Sequence, residues 1–381
     1  MTAQRLKALF ITHDTSAYGA SRSLQLLLRN YDHIDADLLV QRPLLGRQGR
    51  DLLRTQFGRS VRLVREAFLP FDTCYQFGSK DRLFNALLST YNRVLWGGNR
   101  RSVERMIDSG SYDFIHLNSL VLHALITERH PFILHMRDVY DGTNPIAVEN
   151  VRKAAGVIFI DEATLTPFRA IPLQKSLVLN NPFDMTAVAE HAKFRPGLPG
   201  LDVERHTIYS IIGVANDAKG TGFIIQTFLS HQDRNARLLV VAGRERTALA
   251  SYHKLARNDQ RIIFWGEEPD IARVYSISDY IIRGEAFPCI GRTVYEGLYS
   301  GCRVIVPGDP LVPPPMFEYE DYRKDIFFYR PRNADDLLTL LRRLTGCKVG
   351  ERKLRSNVAE YVRAFHAFVL STLAEPRGNE Q

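Results

Sequence analysis

The sequence predicts an α/β protein built from two Rossmann-like domains. Short apolar runs of strand length alternate with amphipathic segments along the 381-residue chain, and this alternation is typical of parallel sheets covered by helices on both faces. The chain is too long for one ordinary hydrophobic core. A polar stretch rich in proline and glycine separates the two alternating halves and indicates a linker. We therefore predict a first domain over residues 1–184, a linker over 185–205, a second domain over 206–349 and a terminal helix over 350–374.

The first half carries seven predicted strands. Each is an apolar run bounded by polar or turn residues, and the runs cover residues 6–12, 36–41, 60–65, 113–117, 132–136, 156–160 and 176–179. A helix is predicted from about Ala20, where leucines recur at helical spacing. A long helical region is expected over residues 80–108, with a break at Gly97-Gly98. Another helix is expected over residues 120–128.

The second half repeats this alternation. Its predicted strands cover residues 207–212, 237–243, 261–266, 279–283, 303–306 and 325–329. Helices are expected over residues 223–229, 292–300, 335–344 and 351–373. In an open parallel sheet, ligands bind where loops leave the carboxyl ends of the strands. The loops after these strands are therefore the places where we expect functional residues.

The composition excludes several protein classes. The sequence contains no near-continuous apolar run of about 18 residues, the length that a membrane-spanning helix requires. The N-terminal residues lack the apolar core and cleavage site of a signal peptide. The four cysteines form no CxxC pair and are interpreted as reduced thiols rather than a disulfide framework or a zinc site. These features predict a cytoplasmic protein.

Positive charge is concentrated in the first half of the chain. The net charge is +8, and residues 42–65 hold seven arginines against one acid, Asp51. A second cluster follows in a predicted helix and consists of Arg93, Arg100, Arg101 and Arg105. A solvated basic surface is one interpretation. Contact with an anionic membrane surface, at the inner face of the cytoplasmic membrane, or with an anionic acceptor is the other. No known nucleic-acid-binding pattern accompanies the charge, so nucleic acid is not an expected partner.

The membrane interpretation names four arginines. Arg47, Arg50 and Arg54 are expected to share one face of a helix, and Arg101 belongs to the second cluster. Their reversal to glutamate is expected to release the protein from anionic vesicles.

Two carboxylates, Glu285 and Glu296, bracket one loop of the second half. Gly291, Arg292 and Thr293 open the helix that follows, so their unpaired N–H groups and the helix dipole attract a phosphate. A carboxylate near the same place accepts hydrogen bonds from vicinal hydroxyls such as those of a ribose. Together these residues predict a site for a nucleotide sugar. The alternative is that both acids are ordinary surface residues of a strand and helix.

This loop resembles the Glu-x7-Glu region of the family 4 retaining glycosyltransferases, whose fold is called GT-B. The family pattern E-x-F-G-x-x-x-x-E is matched by Glu285-Ala286-Phe287 and by residues 291–296. Gly301 and Val304-Ile305 follow at the expected places. The sequence departs from the pattern by a three-residue insertion, Pro288-Cys289-Ile290, so that ten residues rather than seven separate the acids.

A second motif of this family lies after the first strand of the second half. The segment from Gly213 to Gly220 is similar to G-R-L-x-x-x-K-G, in which an arginine and a lysine bind the donor diphosphate. Lys219 and Gly220 match the motif, but Val214 stands where the family has its arginine, and a bidentate phosphate donor is therefore missing. Gly266 ends a segment similar to F-x-G, whose backbone contacts the base in this family.

The first half carries weaker resemblances. Residues 18–24 resemble G-G-A-E-R-S-L, with Tyr18 in place of the first glycine, and this similarity places Gly19 and Ala20 in a loop near the acceptor. The loop lacks G-x-G-x-x-G, so a dinucleotide is not indicated. His135, at the end of a predicted strand, matches the family's histidine that contacts the transferred sugar. Asp138 follows in the same loop and is placed to contact a hydroxyl.

The resemblance implies transfer of a sugar from a nucleotide-diphosphate donor to a glycan, lipid-linked or polysaccharide acceptor, with retention of configuration. Two domains facing a cleft and a C-terminal helix that crosses back to the first domain are implied by the GT-B fold. The family needs no metal, and the sequence offers no DxD at a strand end. No cofactor is expected beside the donor substrate.

The resemblance also implies roles for individual residues. The diphosphate would be stabilised by the side chain of Lys219 and by the backbone amides of Gly291, Arg292 and Thr293. Glu285 would hold sugar hydroxyls and Glu296 the ribose, while His135 would contact the sugar.

The sequence leaves two alternatives to a glycosyltransferase open. A nucleotide-sugar 2-epimerase has the same architecture, and the departures at Val214 and at residues 288–290 also allow a protein that binds a glycan or a partner without catalysis. We further expect the insertion to bring Arg292 into the position that Val214 has vacated. A guanidinium there would form bidentate contacts to phosphate.

Overall fold

The computed structural model describes residues 5–15, 19–44, 50–58, 61–73, 82–194, 200–242, 246–288, 290–313, 316 and 318–374. The sequence-based predictions at Tyr18, Arg47 and Cys289 fall outside these residues, as do the side chains of Arg50 and Arg54. The chain divides into two compact units. The first comprises Met1–Pro182 and Asn357–Gln381, and the second comprises Phe183–Ser356.

The strands follow the predicted alternation. In chain order they are β1 (Leu6–Thr12), β2 (Ile34–Gln41), β3 (Val61–Ala67), β4 (Phe114–Leu117), β5 (Phe132–Met136), β6 (Gly156–Phe159), β7 (Ser176–Val178), β8 (Thr207–Ile212), β9 (Ala236–Val241), β10 (Ile262–Phe264), β11 (Tyr280–Ile282), β12 (Arg303–Pro307) and β13 (Ile326–Tyr329). The first seven form one sheet and the last six form another.

The α-helices lie between the strands. In chain order they are α1 (Gly19–Asn30), α2 (Arg50–Phe57), α3 (Arg82–Tyr91), α4 (Gly97–Ser109), α5 (Pro145–Lys153), α6 (Glu162–Leu165), α7 (Thr186–Phe194), α8 (Thr221–Leu229), α9 (Arg246–Leu255), α10 (Ala272–Ile277), α11 (Arg292–Tyr299), α12 (Tyr319–Tyr322), α13 (Ala334–Leu344) and α14 (Val358–Ala374). None of the helices in the described ranges is long and apolar enough to cross a bilayer.

The first unit is a parallel sheet in the order β3-β2-β1-β4-β5-β6-β7. Both of its faces are covered, because Leu9 and Ile11 of β1 belong to one buried cluster whereas Ala8 and Phe10 belong to another. This division follows from the alternation of side chains along a strand. The terminal helix α14 belongs to the first unit and joins the second cluster, with Phe365 fully buried.

The second unit is a parallel sheet in the order β10-β9-β8-β11-β12-β13. Its central strands are also buried on both faces, since Tyr280 and Ile282 of β11 pack into one cluster and Ile281 packs into another. Continuous apolar runs such as β11 are typical of strands covered on both sides. The fold is therefore α/β with two Rossmann-like sheets, as the sequence predicts.

Two helical segments differ from the sequence-based expectation. The region expected to break at Gly97-Gly98 is continuous, because a π-helical turn at Asn92–Trp96 joins α3 to α4. The backbone N–H of Gly97 bonds to carbonyl oxygens of this turn, so the glycine is accommodated inside the helix. The segment expected as helix 120–128 is a 3-10 helix at Leu120–Leu125.

The linker segment and the last helix also differ from expectation. The segment interpreted as a linker carries α7, whose Val188 packs into a buried cluster of the second unit and whose His191 bonds to Asp270 at 2.6 Å. Helix α14 begins seven residues later than the predicted start at residue 351. Arg352 and Arg355 lie in the non-helical residues before it, where they bond to backbone carbonyls and to Glu318.

Candidate functional site

The two halves of the second sheet diverge between β8 and β11. The chain proceeds from β8 to β9 and β10 on one side, and from β11 to β12 and β13 on the other. Such a switch point leaves a crevice at the carboxyl ends of the strands, because the two connecting segments turn away from each other. The loop that ends at Gly220 follows β8, and the loop that carries Glu285 follows β11. Both motif loops therefore lie at this crevice.

Two glycines bring these loops into backbone contact. Gly220 has a φ of +69°, and a Cβ atom on it would stand 1.7 Å from the carbonyl oxygen of Gly284. A Cβ on Gly284 would stand 2.8 Å from the carbonyl oxygen of Gly220. Only glycine fits at both positions, and Gly220 is also in a conformation that other residues rarely adopt. The contact places Lys219 beside Glu285.

We predict that Gly220→Ala destabilises the second unit by more than about 2 kcal/mol, because strain at positive φ and overpacking against a backbone add. Urea unfolding of the full chain would measure this loss. Gly350→Ala is the matched control, since a Cβ on Gly350 meets nothing within 4 Å and its φ is not in the left-handed region. Equal unfolding midpoints for the two variants would contradict the close approach of the loops.

Glu285 lies at the centre of a charged cluster and is 1% exposed. The Nε atom of Arg283 donates to both of its carboxylate oxygens, at 3.1 and 3.2 Å, and an Nη2 hydrogen bond adds to this fork. The Nζ atom of Lys219 stands 3.5 Å from Oε1 of the same carboxylate. Arg283 also donates to the hydroxyl of Thr293, which lies in the first turn of α11. The cluster thus joins the ends of β8 and β11 to the start of a helix.

The electrostatic balance keeps Glu285 ionised. Burial alone would raise the pKa of its carboxyl, but Arg283 and Lys219 outweigh burial and hold this pKa below its ordinary value. Two cations therefore surround one carboxylate, and the local charge is positive. A positive, partly buried cluster favours an anionic ligand.

Two helices start at this cluster without a side-chain cap. Helix α8 begins after Gly220, and α11 begins after Gly291, and neither N-cap residue supplies a side-chain acceptor. Their dipoles add positive potential at the same place. Gly291 also leaves room for the guanidinium of Arg283, since a Cβ there would stand 2.9 Å from Nη1. Thr221 opens α8, and its buried hydroxyl has no hydrogen-bond partner within the described ranges.

Arg292 and Glu296 bind each other in this structure. The Nε atom of Arg292 donates to Oε1 of Glu296 at 2.9 Å, and the hydroxyl of Tyr275 donates to Oε2 at 2.9 Å. The guanidinium of Arg292 also stacks 4.8 Å above the ring of Phe183. The arginine expected to replace the one missing at Val214 is therefore held by Glu296, whereas the cations beside Glu285 are Arg283 and Lys219.

Sequence reasoning missed Arg283, although a signal for it existed. Residues i and i+2 of an extended segment point to the same side, and Arg283 precedes Glu285 by two residues at the end of β11. In the sequence analysis Arg283 is only the last residue of the predicted strand 279–283. The spacing of four residues between Arg292 and Glu296 in a helix likewise indicates their ion pair.

The remaining predicted donor-binding glycines lie in loops at the carboxyl ends of strands. Gly213 follows β8 with a φ of +122°, and Gly266 follows β10 with a φ of +89°. A Cβ on either would meet no atom within 4 Å, so both backbones border open space. Val214 is 49% exposed.

The first unit has its own switch point, between β1 and β4. Helix α1 follows β1 and starts at Gly19, whose φ is +48°. Asn118 follows β4, and its Nδ2 atom donates to the carbonyl oxygen of Ala20 at 3.1 Å. The predicted acceptor loop at Gly19 and Ala20 is therefore joined to the neighbouring strand end. Asp138 lies in the loop after β5 and is partly exposed.

Next to this switch point, His135 belongs to a buried polar network. Arg137 donates from Nε to Asn118 at 2.9 Å, from Nη1 to Asn181 at 2.6 Å and from Nη2 to Nδ1 of His135 at 3.3 Å. The Nε2 atom of His116 lies 3.3 Å from the same Nδ1 atom. The sequence analysis selects His135 and Asp138 but not Arg137, which lies between them and bonds to His135.

The network fixes the protonation of His135. Its side chain is fully buried, and burial together with the charge of Arg137 lowers the pKa of its imidazole well below the ordinary value. Burial lowers the pKa of His116 in the same way. Because Nδ1 of His135 accepts from Arg137, the neutral ring carries its proton on Nε2. That N–H is buried and has no partner within the part of the chain that the structure describes. The described residues contain no group of three or more His, Cys, Asp or Glu side chains that could hold a metal ion.

Comparisons with known proteins give a match in structure only. No protein-family model matches the chain, and no curated protein matches it significantly. Among solved structures, Anabaena Alr3699/HepE in complex with UDP and glucose superposes with a TM-score of 0.69 at 16% identity, over 96% of this chain and 100% of that one. Sucrose-phosphate synthase from Thermosynechococcus elongatus has a TM-score of 0.64 at 13% identity, over 96% and 97% of the two chains.

A third neighbour is similar over the same length. The lipopolysaccharide outer core galactosyltransferase WaaB in its apo form has a TM-score of 0.60 at 13% identity, over 96% of this chain and 99% of that one. At such low identity the likeness establishes the fold. The chain therefore has the two-domain GT-B fold of glycosyltransferases.

Proposed function

We propose that this chain is a glycosyltransferase that moves a sugar from a nucleotide-diphosphate donor to a hydroxyl of a glycan, lipid-linked or polysaccharide acceptor. We further propose that the configuration at the anomeric carbon is retained. The observation that carries the proposal is the charged cluster at the switch point of the second sheet. There the ionised Glu285 lies between Arg283 and Lys219, beside the uncapped starts of α8 and α11.

The diphosphate of the donor would bind at the helix starts. Lys219 is 46% exposed at its side chain, so its Nζ atom is able to turn from Glu285 to a phosphate oxygen. The backbone amides of Gly291, Arg292 and Thr293 would donate to the same group, as amides at helix N-termini do for phosphates. As the sugar departs, negative charge grows on the diphosphate, and these fixed donors stabilise it.

The sugar would bind at Glu285. An ionised carboxylate accepts hydrogen bonds from two hydroxyls through its two oxygens, and Arg283 holds this carboxylate in one orientation. Because Arg283 donates to both oxygens of the carboxylate, we assign it the role of positioning Glu285. Gly213, Gly220 and Gly266 would let the backbone approach the nucleotide closely, and Glu296 would contact the ribose from α11.

The acceptor would bind at the switch point of the first unit. Gly19, Ala20 and Asp138 lie at the carboxyl ends of its strands, and the Nε2–H group of His135 would donate a hydrogen bond to a sugar hydroxyl. The bond between the anomeric carbon and the phosphate oxygen breaks, and the acceptor oxygen forms its bond on the same face of the sugar. The hydroxyl proton passes to the departing phosphate oxygen. The reaction therefore needs positioning and charge stabilisation more than a protein base.

The ligands bound by one structural neighbour suggest the first donor to test. HepE was solved in complexes with UDP, with UDP and glucose, and with UDP-glucose. We therefore propose a nucleotide sugar of this kind as the donor and expect UDP-glucose to raise the melting temperature of the full chain in a screen of UDP- and GDP-sugars. Stabilisation follows because the ligand binds the folded state alone.

Transfer itself is tested by following the donor with and without an acceptor mixture. A glycosyltransferase is expected to give nucleoside diphosphate in step with a glycosylated product whose anomeric configuration equals that of the donor. Conversion of the donor to its 2-epimer without an acceptor would identify an epimerase instead. Stabilisation by a glycan with no response to any nucleotide sugar would identify a binding protein without catalysis.

A further inference from the structure

A long helical segment of the first unit presents a second candidate surface. Helix α3, the π-helical turn at Asn92–Trp96 and α4 follow one another without a break from Arg82 to Ser109. One side of this segment is buried through Trp96, Val103 and Ile107. The opposite side faces solvent.

The solvent side carries a stripe with an apolar half and a basic half. Leu87 is 63% exposed and Val94 is 57% exposed. Val94, Arg101 and Arg105 each precede by two residues one of the buried side chains Trp96, Val103 and Ile107. Two residues correspond to about 200° around a helix, so these three lie on the side opposite the buried one. Both arginines are exposed. We call Leu87, Val94, Arg101 and Arg105 the outward stripe.

The arginines of this stripe differ from their neighbour Arg100. Arg100 donates to Glu104 at 2.8 Å. In contrast, neither Arg101 nor Arg105 forms an ion pair with a carboxylate of the described chain. They line a surface cavity of about 440 Å³ together with Glu104, Asp108 and Arg129. Three arginines and two carboxylates therefore line this hollow, and Asp108 is paired with Arg129, so Arg101 and Arg105 supply its excess positive charge.

We propose that the outward stripe docks on an anionic phospholipid bilayer. Leu87 and Val94 would enter the boundary between headgroups and acyl chains, and Arg101 and Arg105 would contact lipid phosphates. Guanidinium groups form bidentate hydrogen bonds with phosphate. Apolar burial and charge attraction act together, as peripheral membrane binding requires. A nucleic acid would engage the arginines but would leave both aliphatic side chains exposed. This surface lies outside the proposed donor site and does not depend on the proposed reaction.

Vesicle co-sedimentation of the full chain tests the proposal. We expect binding to vesicles of phosphatidylglycerol and phosphatidylcholine and much weaker binding to phosphatidylcholine alone. The variant Arg101→Glu/Arg105→Glu is expected to partition at least about 30-fold more weakly into the anionic vesicles. Raising the salt to about 1 M should weaken binding of the wild type, since screening shortens the reach of exposed charges to about 3 Å.

Two further variants separate the local surface from net charge and from nucleic acid. Arg152→Glu/Arg234→Glu changes the net charge equally at exposed sites elsewhere, and it should bind vesicles as the wild type does. Leu87→Ser/Val94→Ser should weaken vesicle binding while binding of a DNA duplex, if any, stays unchanged. The proposal is overturned if the wild type ignores anionic vesicles, if the control double variant loses as much binding as Arg101→Glu/Arg105→Glu, or if the serine variant binds normally. Circular dichroism of each variant excludes unfolding as the cause.

Discussion

Replacement of Lys219 by alanine is expected to lower the turnover number about 10²–10³-fold, the loss typical for one donor to a developing negative charge. The side chain is 46% exposed, and Glu285 keeps Arg283 as its partner in the variant, so we expect the fold to be retained. The charge of Lys219 would contact the diphosphate more strongly as the sugar departs. The loss should therefore fall mainly on turnover rather than on donor affinity.

Steady-state kinetics at saturating donor would measure this effect. Lys254→Ala is the matched control, because Lys254 is an exposed lysine in the last turn of α9, and the C-terminal end of a helix between parallel strands lies away from the carboxyl edge of the sheet. Turnover of Lys219→Ala within about twofold of the control would show that Lys219 is a surface residue and that its motif match is accidental.

Replacement of Arg283 by methionine is expected to cost about 3–5 kcal/mol of unfolding free energy, the range measured when one partner of a buried ion pair is removed. Glu285 would then keep only Lys219 as a charged partner. Methionine preserves much of the side-chain volume, so the loss would report charge rather than packing. Adding Glu285→Gln to Arg283→Met should restore much of the stability, because no buried carboxylate is left without its partner.

The pH dependence of Arg283→Met has a definite sign. In the wild type the pKa of Glu285 is lowered, so its contribution to stability is complete above its ordinary pKa and is lost as the pH falls through the lowered value. Without Arg283 burial dominates and raises this pKa, so stability of the variant falls as the pH rises through the raised value. The difference in unfolding free energy between wild type and variant should thus be largest near neutral pH and shrink in acid. The ordinary pKa of a carboxyl group lies near the lower end of the range from about pH 4 to pH 8. If the difference in unfolding free energy stays constant over this range, the ion pair is contradicted.

The strands were predictable because each carries a continuous apolar run. Strand β8 has the predicted bounds, and β11 is shorter than predicted by one residue at each end. Parallel strands covered on both faces are apolar throughout. Each strand can therefore be recognised from its own sequence, without knowing which strands lie beside it. The π-helical turn before Gly97 was not predictable in this way, because propensity marks a glycine pair as a break while tertiary packing of Trp96 keeps the helix continuous.

The candidate site was predictable only where local spacing decides it. Lys219 and Glu285 were found through motif resemblance, and the structure places them 3.5 Å apart. The link between Arg137 and Asn181 spans 44 residues, and no local pattern joins such a pair. The pairing of Arg292 with Glu296 is local and follows from their helical spacing, whereas the family resemblance assigns both residues to the donor.

Calorimetric titration of UDP-glucose into the full chain tests the central claim most directly. We predict saturable binding at one site per chain for the wild type and for Lys254→Glu. The variant Lys219→Glu should bind at least about 100-fold more weakly, since a charge-assisted hydrogen bond is lost and a like charge is placed beside the diphosphate. A wild type that binds neither UDP-glucose nor another UDP- or GDP-sugar, or a Lys219→Glu variant that binds as tightly as Lys254→Glu, would contradict a donor site at the switch point of the second sheet.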